Sequence, residues 1–107
     1  MKIEEFQRLS KRTLNKELTK EQTLSNMVMG ISGEAGEVAD IIKKHLYQGH
    51  RLNKQHLAEE LGDVMFYIVN LANTLNLDMR DILEANIKKL EARYPQGFEA
   101  ERSINRG

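Results

Sequence analysis

Two short stretches hold the densest reactive chemistry in this 107-residue chain: E-A-G-E-V at 34–38 and E-L-G-D-V at 60–64, one pattern repeated twenty-six positions apart. Each carries two carboxylates three residues apart, Glu34 with Glu37 and Glu60 with Asp63. On a helix turning about 100° per residue, Glu34 lies about 60° and Glu37 about 120° to one side of Ile31. Glu60 and Asp63 take the same two angles from Leu57. A single E-x-x-E is commonly only a solvated helix face that supports ion pairs. Two copies at matching angles beside apolar stripes point further, to four carboxylates converging. Such a group repels itself unless protons or a cation neutralise it. Oxygen donors of this kind suit Mg2+, with Mn2+ as a possible substitute, and Mg2+ readily shares its shell with water and phosphate oxygens. The expected ligand is a metal-bridged phosphate compound.

The elements that must position these groups are helical. Apolar residues recur at helical spacing for most of the length, strand alternation is absent, and Pro95 is the sole proline. Four segments are expected. The first runs from about Ile3 to Leu18, with Ile3, Phe6, Leu9, Thr13 and Leu14 near one side. The second runs from around Thr23 to about Tyr47 on the stripe Leu24, Met27, Ile31, Ala35, Val38, Ile42 and Leu46. The third follows Asn53 to about Asn76 on Leu57, Leu61, Val64, Ile68, Leu71 and Leu75. The fourth is capped by Asp78, carries Met79, Leu83, Ile87 and Leu90, and ends where Pro95 forces Tyr94 out of helical geometry. Short connections imply an all-α four-helix bundle built on a central antiparallel hairpin, its tip near Gly49 to Asn53. The two motifs are about equally distant from that tip and should meet, with Gly36 and Gly62 allowing close backbone approach at a cost of about 1 kcal/mol each relative to alanine. Residues after about 95 read as a loosely ordered tail of a single domain spanning 1–107.

Further polar residues share the carboxylate flank. Lys44, Tyr67 and Asn70 lie one or two turns beyond the acids, and Asn86, Lys89 and Arg93 border one edge of the fourth stripe at i, i+3 and i+7. As a set, the cations could neutralise outer phosphates, although each could equally be an ordinary ion-pair partner. His45, His50 and His56 gather near the hairpin tip without a zinc-binding pattern.

Bulk composition narrows the partners. Sixteen basic residues balance sixteen acidic ones, so no whole-chain field favours nucleic acid or an anionic membrane. The absence of cysteine excludes a disulfide framework, and no apolar run approaches a signal peptide core or a membrane span. A soluble cytoplasmic protein is expected. Met65, Phe66, Val69 and Ala72 extend apolar surface far around the third helix, which predicts a homo-oligomer.

G-E-A-G-E-V-A-D-I-I-K-K at 33–44, E-E-L-G-D-V-M-F-Y at 59–67 and N-I-K-K-L-E-A-R-Y-P at 86–95, in that order, resemble the MazG-like all-α nucleoside triphosphate pyrophosphohydrolases. The resemblance covers most of the chain from the second helix to R-Y-P-Q-G at 93–97. It implies an acid anhydride hydrolase that converts a nucleoside or deoxynucleoside triphosphate to monophosphate and pyrophosphate, in nucleotide-pool sanitation. It implies Mg2+ on Glu34, Glu37, Glu60 and Asp63, with Glu37 chosen to polarise the water. Lys44, Lys89 and Arg93 would hold phosphates, and Tyr67 and Asn86 would line the nucleotide pocket. The sequence departs from the fuller family motif at Gly33, where a glutamate often stands, and it lacks the tryptophan that stacks the base in some relatives. Two other functions fit the same residues: a phosphoribosyl-ATP pyrophosphohydrolase, and a helical interaction module whose carboxylates serve only in salt bridges.

Overall fold

A computed structural model describes residues 1–105. Among them every named element is a helix: α1 (Ile3–Ser10), a single 3-10 turn (Lys11–Thr13), α2 (Lys20–Tyr47), α3 (Lys54–Thr74), α4 (Met79–Arg93) and α5 (Ala100–Ile104). The first segment is shorter than its periodicity predicts. After Ser10 the backbone tightens into the 3-10 turn, and Leu14 is already extended at φ −70° and ψ 141°. The Asn15 side chain then accepts from the Glu17 N–H at 3.0 Å, holding the chain in a turn rather than a further helical one.

Helix α2 begins at Lys20, three residues before the expected start, because Thr19 and Gln22 form a reciprocal capping box. Thr19 Oγ1 accepts from the Gln22 N–H at 3.1 Å, and Gln22 Oε1 accepts from the Thr19 N–H at 3.0 Å. The helix then runs 28 residues to the hairpin tip. There Gly49 adopts φ +72°, and the Gln48 and His50 N–H groups both donate to the Lys44 carbonyl. Asn53 caps α3 by accepting from the His56 N–H at 3.0 Å. At the far end of α3, Asn76 takes the left-handed conformation, while Leu77 N–H donates to Ala72 O and Asn76 N–H to Asn73 O. That Schellman closure stops the helix just short of its expected end. Asp78 caps α4 through the Arg80 N–H at 2.9 Å, as its sequence position predicts.

The hairpin of α2 against α3 is the dominant packing unit. Ile31, Val38 and Ile42 of α2 and Leu57, Val64, Ile68 and Leu71 of α3 are half-buried along it. The tightest core lies at the end away from the tip, where Val69, Ala72 and Met79 are buried against Ile3, Phe6 and Ile68. A polar clasp holds α1 there. Asn70, fully buried, donates to the Ser10 carbonyl at 3.1 Å, Asn73 donates to the Gln7 carbonyl at 3.0 Å, and Gln7 bridges the Leu77 carbonyl and the Met79 N–H.

The fourth helix departs from the expected bundle. Its main packing partner is α1, and it makes little contact along the hairpin. Its predicted apolar stripe is therefore open: Ile87 is 56% exposed, and Leu83 and Leu90 are exposed as well. Leu46, Leu61 and Leu75 also lie at the surface despite their place on apolar stripes. The radius of gyration is 17.1 Å, against about 13 Å for a compact chain of this size. A single chain does not close these helices into a bundle. The tail also differs from expectation. Pro95 and Gly97 form an isolated bridge, the Tyr94 and Phe98 rings sit 5.4 Å apart, and α5 follows with Arg102 paired to Glu99. Positions 106 and 107 of the expected loose tail lie outside the described residues.

Candidate metal centre

The hairpin brings Glu34 of α2 together with Glu60 and Asp63 of α3, with one carboxylate oxygen from each within 4.8 Å of the others. Glu34 and Glu60 border the half-buried stripes and are themselves half-buried, while Asp63 is exposed. Glu60 Oε2 is shut away from solvent with no hydrogen-bond partner. A buried carboxylate oxygen left so is costly, since its lost hydration is not replaced. The strain also appears in Glu34, whose carboxyl is held above its ordinary pKa. The largest cause is the hydrogen bond available to the protonated acid from Glu60, followed by partial desolvation and by repulsion from the Glu60 charge. Three carboxylates whose oxygens converge, with the charge of Glu60 raising the proton affinity of Glu34, fit a hard divalent cation of the Mg2+ or Mn2+ kind.

Glu37 stands apart from this group, so the structure brings together three of the four expected acids. A fourth charge there would only deepen the repulsion, and the exposed Glu37 side chain instead helps raise the Lys44 pKa by its charge. Lys44 is itself engaged. Its Nζ lies 2.7 Å from Asp40 Oδ2, and this contact is the main reason the lysine pKa is raised and the aspartate pKa lowered. Asp40 was not among the expected site residues, although an acid four positions before a lysine on a helix is a readable signal.

Tyr67 is half-buried one turn beyond Asp63, in edge-to-face contact with Phe66 at 5.3 Å. Its ring packs over Gly30, one turn before Glu34, so the close approach occurs at Gly30. A β-carbon at Gly36 or Gly62 would meet nothing within 4 Å, which overturns their expected role as points of tight helix contact. Asn70, expected on the carboxylate flank, belongs to the buried clasp on α1. Asn86 and Lys89 are exposed on α4, and Arg93 lies 5.9 Å from the Tyr94 ring centre. Because α4 runs off the hairpin, its own chain does not carry these three residues to the carboxylates by helix packing. The histidines form no metal-ligating group among the described residues, and His45 Nδ1 instead pairs with the His50 carbonyl at 2.9 Å.

Fold and site together define an all-helical protein with a carboxylate centre suited to a divalent cation, set across a helical hairpin. The chain belongs to the MazG family, since the sequence pattern of the MazG nucleotide pyrophosphohydrolase domain matches residues 22–98. Membership implies a nucleotide pyrophosphohydrolase. The Gene 37 protein of Mycobacterium phage L5 is a relative, 40% identical over 78 residues that make up 69% of this chain and 68% of the phage protein. No solved structure matches the chain. No helix among the described residues is long and apolar enough to cross a membrane.

Proposed function

We propose that this chain hydrolyses nucleoside or deoxynucleoside triphosphates to monophosphate and pyrophosphate in a Mg2+-dependent reaction serving nucleotide-pool sanitation. The observation that carries the reading is the meeting of Glu34, Glu60 and Asp63, with one Glu60 oxygen buried and unpartnered. These three, joined by Glu37 when its side chain swings inward, would hold the cation. When bound, the cation supplies Lewis-acid polarisation of phosphate oxygens and makes water more acidic. Glu37 takes the proton of the attacking water. The new bond forms at the α-phosphorus, the bond from that phosphorus to the bridging oxygen breaks, and pyrophosphate carries the released electron pair away.

The ends of the hairpin give the substrate a direction. Lys44 lies on the tip side of the acids and Tyr67 on the opposite side, so the β- and γ-phosphates run toward Lys44 and the nucleoside toward Tyr67. Asp40 holds the Lys44 Nζ at 2.7 Å and favours its charged form. Asn86, Lys89 and Arg93 complete the nucleotide and phosphate contacts from α4, within a homodimer or homotetramer that covers the open stripe of Leu83, Ile87 and Leu90. Neither a nucleic acid nor a membrane is a partner, and the reaction is cytoplasmic.

A panel of canonical and modified triphosphates with Mg2+ tests this reading. Pyrophosphate is the expected first product, and isotopically labelled water should place its oxygen in the monophosphate. Glu60→Gln should lower kcat/KM by on the order of a hundredfold or more. Orthophosphate as the first product, or turnover confined to phosphoribosyl-ATP, would overturn it.

A further inference from the structure

Gly30 is singular among the glycines within helices. A β-carbon built there would sit 2.6 Å from Tyr67 Cγ and closer still to Cδ1 and Cε1, whereas Gly33, Gly36 and Gly62 face open space. No helix needs a glycine at such a place, and each interior glycine disfavours the helix relative to alanine. The missing side chain is instead a notch in α2 that the tyrosine ring fills. Its position gives the notch a use. Gly30 lies four residues before Glu34 and Tyr67 four residues after Asp63, so the seated ring forms a wall one turn from the carboxylates, at the end away from the hairpin tip. Phe66 supports the ring edge-to-face at 5.3 Å and 82°.

We infer that Gly30 is a positioning residue for nucleotide binding: it seats Tyr67 against α2 so that the ring and hydroxyl meet the nucleoside of a triphosphate held at the acids. The inference rests on the function proposed above. Gly30 touches no substrate and acts only through Tyr67. An alanine would push the ring out over the nucleoside space while leaving the oxygen donors of Glu34, Glu60 and Asp63 in place. Ground-state binding should therefore suffer and metal binding should not.

The test compares the parent protein with Gly30→Ala, Tyr67→Phe, Tyr67→Ala and the Gly30→Ala/Tyr67→Ala double variant. Three quantities are measured: Mn2+ binding to the protein alone, binding of α,β-methylene triphosphate analogues carrying each common base and sugar, and the separate kcat and KM of hydrolysis. Gly30→Ala and Tyr67→Ala should each weaken analogue binding by about tenfold, a change of about 1.4 kcal/mol. KM should rise with it, while kcat and the Mn2+ affinity stay within about twofold. Tyr67→Phe keeps the ring in its notch and should retain parental thermal stability yet bind the analogue more weakly. The double variant should be no worse than Tyr67→Ala, since the notch matters only to the side chain that fills it. Should Gly30→Ala fail to fold, the double variant decides the matter, because an alanine at position 67 has neither the ring nor the γ-carbon with which the new β-carbon would collide. A folded double supports the seat, and an unfolded one overturns it. Parental analogue affinity in Gly30→Ala, additive losses in the double variant, or a parallel loss of Mn2+ binding would each overturn the inference. Analogue binding without hydrolysis would remove the proposed reaction and leave the seat to be judged on affinity. A parent that binds no analogue removes both.

Discussion

Glu34 is where pH should act on the site most directly. Its folded carboxyl has a higher proton affinity than an ordinary glutamate, chiefly because of Glu60, so between the ordinary and raised values the folded chain binds more protons than the unfolded one. Its contribution to stability is therefore complete below the ordinary glutamate value and is lost as pH rises through the raised one. A cation competes for the same oxygens. Mn2+ binding should release part of a proton and weaken as pH falls through the raised value of Glu34. Calorimetry in buffers of differing ionisation heat checks this, and Glu34→Gln should abolish the release. Glycine substitutions give a second contrast at this scale. At Gly36 or Gly62 the space is open and the backbone helical, so alanine should stabilise the chain by about 0.4–1 kcal/mol in thermal unfolding. At Gly30 the Tyr67 collision should make the same change destabilising.

Among the elements, α1 is held less by its length than by its clasp. Asn70 is fully buried and supplies the hydrogen bond to the Ser10 carbonyl, while its own Oδ1 accepts from Asn73 at 3.0 Å. Asn70→Ala should cost about 2 kcal/mol, since it leaves the Ser10 carbonyl without this buried donor and Asn73 with only its bond to the Gln7 carbonyl. Urea unfolding measures the cost, and an unchanged midpoint would mean the clasp contributes nothing to stability. The same residue shows where sequence reading stops. Helical periodicity placed Asn70 on the carboxylate flank, and the angle was reasonable, but angle alone does not say that α1 would cover that turn. Periodicity located the hairpin and the meeting of Glu34, Glu60 and Asp63 well, because short connections force sequence neighbours to pack. The Asp78 cap was legible for a similarly local reason. The early start of α2 required reading Thr19 and Gln22 as a reciprocal pair, and the early end of α1 depended on turn chemistry that an apolar stripe does not record. Gly30 was the least readable. A helix-interior glycine looks the same in sequence whether it faces open space or a tyrosine ring.

At the scale of the whole molecule, the site and the fold pose one problem. The carboxylates lie on the hairpin, while Lys89 and Arg93 lie on a helix that runs off along α1 with its apolar stripe uncovered. Association of two chains through α4 would bury Leu83, Ile87 and Leu90 and could carry the cations of one chain to the acids of another. Leu83→Glu/Ile87→Glu should then shift the protein to monomer in sedimentation and reduce hydrolysis, with Mn2+ binding at the hairpin retained. Mixed oligomers separate shared sites from self-contained ones. Glu60→Gln removes an acid and Lys89→Ala a phosphate contact, so each homo-oligomer should be impaired at every site. After unfolding and co-refolding in equal amounts, half of all sites pair the hairpin of one variant with α4 of the other. If sites are shared between chains, those joining the Lys89→Ala hairpin to the Glu60→Gln α4 are intact, and activity should recover to about a quarter of the parent level. If each chain builds its own site, mixing restores nothing, and α4 must instead fold back onto its own hairpin when the triphosphate binds.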